Sequence, residues 1–173
     1  MDLQLRNKTA LVTGSDSRTG KVIADVLSAE GAQVIYHGND EAPPMPMAVV
    51  GDITTEEGSA QVLEQVAALD CSVDILVNNY GTTDNHRWTD ADTATWLSLY
   101  QINTLSALRM ASGLVDGMKD SGWGRIVNLG TAGTFKPSAA RPAYYAAKSA
   151  LAVMGASLAQ ELAGTGITVN TVS

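Results

Sequence analysis

Residues 9–20 read TALVTGSDSRTG, and the fold turns on how that stretch is taken. Thr9–Gly14 is a short run rich in β-formers. The periodic pattern that begins at Arg18 and continues to residue 29 predicts a helix. Between them lies a turn with Gly14 and Gly20 at its ends. A strand that enters a helix through a glycine turn aims free backbone N–H groups, and the positive end of the helix dipole, at one point in space, where a phosphate is stabilised. Two glycines six residues apart are also a common turn, so this stretch alone does not establish a ligand. Ser15 and Ser17 read equally as turn formers, helix caps or phosphate donors. Arg18 is a solvated first-turn residue or a cation with an anion opposite, because arginine at a helix N-terminus is otherwise unfavourable.

Outward from this unit the same alternation continues. Residues 32–37 (AQVIYH), 47–52 (MAVVGD), 74–79 (DILVNN), 124–130 (GRIVNLG) and 166–172 (GITVNTV) read as strands. Helices are expected from about residue 55, where threonines and early acids provide caps, and over about 92–118 and 142–163. Continuously apolar strands alternating with helices predict one α/β domain over residues 1–173, a doubly wound parallel sheet of Rossmann type. One connection breaks the pattern. Residues 38–46, GNDEAPPMP, carry three prolines. Parallel crossovers normally need a dozen or more residues with a helix, and the prolines forbid one. Either the flanking strands are not neighbours or this crossover has no helix.

Composition narrows the function. With 173 residues, 45% of them apolar and 17% charged, the chain can bury a core. A net charge of −7 argues against nucleic acid or an anionic membrane as partner. The lone Cys71 provides no disulfide framework. No secretory leader or membrane-length apolar run is evident, so a soluble, cytoplasmic protein is expected. His37 and His86 stand at neither metal-ligand nor triad spacing, and no metal site is expected.

Three further stretches carry chemistry. In YYAAK (144–148) Tyr144 and Lys148 are four residues apart, on one helix face. VNNYG (77–81) ends a buried strand with two amides, and Asn103 interrupts an apolar helix where asparagine is a poor former. Taken in order, TG…G, an acid after the third strand, NN-x-G, a mid-helix Asn, GRIVNLGT, Tyr-x-x-x-Lys and GITVNTVS resemble the short-chain dehydrogenase/reductase family over essentially the whole chain.

The resemblance implies an NAD(P)-dependent oxidoreductase that moves a hydride between nicotinamide and an alcohol or ketone. It assigns Tyr144 as the acid/base, Lys148 as its partner and a ribose ligand, and Asn103 as the residue that orients a water and the lysine. Gly14 and Gly20 match the cofactor loop, Asp52 the acid that bonds adenine, and Asn78 the first amide near the adenosine ribose. It also implies a homodimer or homotetramer paired through the helices at 92–118 and 142–163. Departures are visible. Arg18 stands where the family's loop has its middle glycine, and Thr131 stands where it has the catalytic serine. The family continues past Ser173 into a substrate-binding segment and a last strand, so the resemblance presents this sequence as C-terminally truncated. Gly38 and Asn39 lack the family's usual cofactor-selecting residues. Arg18, Ser15 and Ser17 tilt the expectation to NADP over NAD. The competing reading is a catalytically inactive dinucleotide-binding or interaction module of the same fold.

Overall fold

The computed structural model describes residues 3–173. Its elements in chain order are β1 (Thr9–Val12), α1 (Arg18–Ala29), β2 (Gln33–Gly38), β3 (Ala48–Val50), α2 (Glu56–Ala68), β4 (Ile75–Asn78), α3 (Thr93–Tyr100), a π-helical turn (Gln101–Leu105), α4 (Ser106–Ser121), β5 (Gly124–Leu129), a 3₁₀ turn (Ala132–Thr134), α5 (Pro142–Glu161) and β6 (Ile167–Val172). The strands form one parallel sheet in the order β3-β2-β1-β4-β5-β6. That is the doubly wound Rossmann arrangement, whose chain reverses direction across the sheet between β1 and β4.

Strand residues alternate between two apolar layers, as a period of two requires. Leu11, Ile35, Val49, Leu76, Ile126 and Val169 pack with Val62 and Val66 of α2, Met110 and Met118 of α4, and Leu162 after α5. Ala10, Val12, Val34, Tyr36, Ile75 and Val77 form the opposite layer with Ala24 of α1. The covering is unequal. α1 shields β1 and β2, whereas Arg125, Val127 and Leu129 of β5 stay half-buried and Thr168, Asn170 and Val172 of the edge strand β6 are exposed.

The proline-rich connection is resolved in favour of a bare crossover. β2 and β3 are parallel neighbours, with Tyr36 opposite Ala48, and the residues between them hold no helix. Pro43 is buried and Met45 packs beside the α1-side layer where a helix would otherwise lie. The cover there is thin, and Ala48 and Val50 remain half-buried. The long helix expected over 92–118 is interrupted. A π turn lets each N–H reach one residue further back than in an α-helix. Asn103 lies inside that turn, fully buried, and its Nδ2 donates to the Leu99 carbonyl four residues back at 3.0 Å. No helix among the described residues is long and apolar enough to cross a membrane.

Candidate active site

A cleft of about 620 Å³ runs across the C-terminal ends of β1 and β4, the position where open α/β sheets bind ligands. Its walls include Gly14, Ser17, Arg18 and Gly20 at one end and Tyr144 and Lys148 at the other. A neighbouring hollow, lined by Asp52 and Thr54, shares Asn39 and Tyr80 with it.

The loop end is built from buried polar side chains bonded to backbone. Thr13 Oγ1 accepts the N–H groups of Asn79 and Tyr80 at 3.1 and 3.0 Å, joining the end of β1 to the end of β4. Asn79 Nδ2 donates to the Thr13 and Gly14 carbonyls at 2.9 and 3.0 Å. A Cβ on Gly20 would overlap the Gly14 carbonyl oxygen and the Asn79 amide, so α1 starts directly against the turn. Ser17 occupies the N-cap of α1 without a side-chain capping bond, and no acid lies in the first turn. The first-turn N–H groups of α1 therefore lack a side-chain acceptor at the cleft wall. Arg18 is exposed there with φ +49°, the left-handed region that favours glycine.

Two expected ligands are placed differently. Ser15 is buried and turned from the cleft; its hydroxyl donates to the Val12 carbonyl at 2.7 Å and accepts the His37 N–H at 2.9 Å. Asn78 is buried within the sheet, where its Nδ2 donates to Asn128 Oδ1 at 2.9 Å across the β4–β5 register. Asn79, one residue on, lies beyond the strand and reaches the loop. Asp52 follows β3, and its Oδ1 accepts the Thr54 N–H and hydroxyl at 2.9 and 2.7 Å.

The other end gathers Tyr144, Lys148, Asn103 and Thr131. Lys148 is 4% exposed, and its Nζ donates to the Leu129 carbonyl at 2.8 Å. Burial pushes the ammonium down to about 8. Tyr144 is half-buried; desolvation raises its phenol, while the neighbouring Thr131 hydroxyl and the Arg141 charge pull the other way. Burial is the largest effect on the phenol and the cause of the shift in the ammonium. Thr131 Oγ1 accepts the Gly133 N–H at 3.3 Å, which leaves its proton free to donate toward Tyr144. Tyr145 is aside from this group, its ring against Gly133 and its hydroxyl 3.4 Å from Ser138 Oγ.

Gly81 joins the set. A Cβ there would lie 2.6 Å from Asn103 Oδ1 and 3.3 Å from Lys148 Nζ, so only glycine lets the chain pass between amide and ammonium. Asn103 Oδ1 accepts the Thr82 N–H at 3.2 Å and its Nδ2 donates to the Thr82 carbonyl at 2.9 Å, fixing the loop after β4. Neither Gly81 nor Asn79 was expected as a site residue, although the NN-x-G signal contains both.

A glycine turn at the N-terminus of α1, opposite a half-buried tyrosine and a buried lysine across one Rossmann cleft, defines the class: a dinucleotide-dependent oxidoreductase. The chain belongs to the short chain dehydrogenase family, whose profile matches residues 8–173. It is 33% identical to an uncharacterized oxidoreductase of Bacillus subtilis over 99% of this chain and 69% of that protein. It is 32% identical to a 3-oxoacyl-(acyl-carrier-protein) reductase of Vibrio cholerae over 99% of this chain and 74% of that one. Among solved structures, a 3-oxoacyl-(acyl-carrier-protein) reductase from Agrobacterium tumefaciens with NADP bound superimposes with a TM-score of 0.88 at 28% identity, covering 96% of this chain and 69% of the other.

Proposed function

We propose that this chain carries the nicotinamide-dependent interconversion of an alcohol and a ketone. The observation that carries the reading is the continuity of one cleft from the Gly14–Gly20 turn to Tyr144 and Lys148. Three features fit a dinucleotide: the glycine turn, the α1 N-terminus without a side-chain cap, and the buried Asn39 Oδ1, an acceptor with no partner at the adenosine end. The bound nicotinamide would supply or accept the hydride and, when oxidised, add a positive charge. Tyr144 gives its phenolic proton to the carbonyl oxygen during reduction and takes the alcohol's proton in the reverse direction. The Thr131 hydroxyl hydrogen-bonds the same oxygen and keeps its own proton. Lys148, at about 8, carries enough positive charge near neutrality to stabilise the phenolate and reload it. Asn103 and Gly81 set the position of the lysine.

Arg18 at the loop favours NADP, because a cation there meets a phosphate. Asn39 Oδ1 supports the alternative, NAD, since an unpartnered acceptor suits a ribose hydroxyl. Fluorescence titration with NADPH and NADH, followed by turnover on a ketone panel, tests both parts. Tighter NADPH binding with turnover is expected. Binding without turnover of any ketone would support an inactive module, and no binding of either dinucleotide would end the reading. A homodimer or homotetramer through α3–α4 and α5 is part of the proposal, because Leu97, Leu108 and Val153 are exposed on those helices at 62%, 42% and 71%. Light scattering that reads a monomer at micromolar concentration would remove it.

A further inference from the structure

His37 is fully buried, yet it belongs to neither the proton-transfer group nor the cleft wall. Its ring lies between two backbone groups. Nδ1 accepts the Gly14 N–H at 3.0 Å, and Nε2 faces the Gly51 carbonyl at 3.0 Å. Because an N–H points at Nδ1, the proton must be on Nε2, and the second contact is a donation to Gly51. The same residue's backbone carbonyl accepts the Ser15 N–H at 2.9 Å, and its N–H donates to Ser15 Oγ at 2.9 Å. One neutral imidazole therefore ties the glycine turn after β1 to the end of β3, where Asp52 follows. The burial of Ser15, whose hydroxyl bonds Val12 and His37, has a reason in this arrangement.

We infer that His37 is a positioning residue for dinucleotide binding, one that holds the Gly14 turn in place only while its imidazole is neutral. Protonation converts Nδ1 from acceptor to donor and sets two N–H groups against each other at Gly14. The charged and titratable groups facing the ring are Asp16 from the loop, Asp52 after β3 and the edge of Tyr80 after β4, whose ring centroid is 6.2 Å away. Both carboxylates favour the charged ring, but burial is the larger effect and holds His37 below the ordinary histidine range. The neutral form, and the stability it lends, is complete above about pH 6.5 and is lost as pH falls through the lowered value.

The inference rests on the reading of residues 14–20 as the dinucleotide turn, so its test has one arm that needs no dinucleotide. In 15N-labelled protein, His37 should show a protonated Nε2 and a bare Nδ1 near neutrality, and the Gly14 amide signal should move as His37 titrates. In binding, NADPH affinity of the wild type should fall by about tenfold per pH unit below the His37 midpoint. His37→Gln, which keeps a donor and an acceptor but cannot titrate, should bind at neutral pH and lose the acid fall. His37→Phe should bind at least tenfold more weakly at every pH, with two buried backbone groups left unpaired. A proton on Nδ1, a Gly14 amide indifferent to the titration, or an acid fall that persists in His37→Gln would each overturn the inference. If neither dinucleotide binds while Gly14 still follows His37, the cofactor reading fails and the link between ring and turn stands.

Discussion

The two ends of the cleft are held in opposite ways. At the glycine turn, Thr13, Ser15, His37 and Asn79 spend their polar atoms on backbone partners, and the first three are buried. At the tyrosine end, Lys148 makes one hydrogen bond among the described residues, Thr131 keeps a free proton, and Tyr144 is half-open. The difference follows from what each end must do. A phosphate is recognised by dipoles already in position, whose ordering cost has been met during folding. A group that passes a proton needs spare capacity and a pKa that its surroundings can move. Burial shifts the lysine of the tyrosine end well below its usual range and raises the phenol, so both are poised for change.

The contrast breaks most sharply at Tyr144. Tyr144→Phe should lower hydride transfer by ~10²–10⁴-fold, the usual yield of a positioned acid–base group. Dinucleotide affinity and melting temperature should hold, and Tyr145→Phe should change neither. A Tyr144→Phe protein that loses affinity in step with rate would place the ring among the binding residues. Lys148→Met should cut turnover strongly as well, yet at pH 7 it should unfold less readily than the wild type by up to about 3 kcal/mol, because the folded protein no longer keeps a charged amine in a site that lowers it to about 8. That advantage should fade as pH rises from about 8 through 10.5, above which the wild-type lysine is neutral in both states. Denaturant melts across that range check the sign.

Gly81→Ala should reduce turnover about tenfold and destabilise by roughly 1–3 kcal/mol, the usual range for overpacking, as its methyl displaces Asn103. Steady-state rates beside thermal melts would show it, and an unchanged rate would detach Asn103 from the lysine. The smallest effect belongs to Arg18. Arg18→Gly should relieve the left-handed backbone and stabilise the fold by about 1 kcal/mol. It should also weaken NADPH several-fold and NADH less. Equal or tighter NADPH binding would show that the side chain only obstructs the turn.

What the sequence disclosed follows from range. Strand alternation, the glycine turn and the Tyr144–Lys148 spacing are set by residues within a few positions of one another, and all are present in the fold. Asn78 and Asn79 were harder to separate, because ending β4 one residue earlier or later exchanges which amide is buried. Ser15 is committed by His37, which lies on the neighbouring strand and not in the same turn, so no local pattern reveals it. The π turn is marked in the sequence only by Asn103, a poor helix former, which does not show that an extra residue is inserted; that residue is accommodated where the Asn103 side chain satisfies the Leu99 carbonyl. His37 stands at neither a metal nor a triad spacing, and its partners are backbone atoms just past the ends of other strands, which no side-chain pattern marks.

The helixless crossover also bears on how the chain assembles. Tyr36 meets Ala48 only twelve positions on, whereas Ile75 meets Arg125 fifty positions on. Closing the shorter loop costs less entropy by about 1.3 kcal/mol on the logarithmic law. Parallel strands usually pair late because a helix must form between them. Here β2 and β3 can meet almost as directly as the arms of a hairpin, which makes that edge of the sheet a candidate folding nucleus and gives β1 a ready template on which to dock.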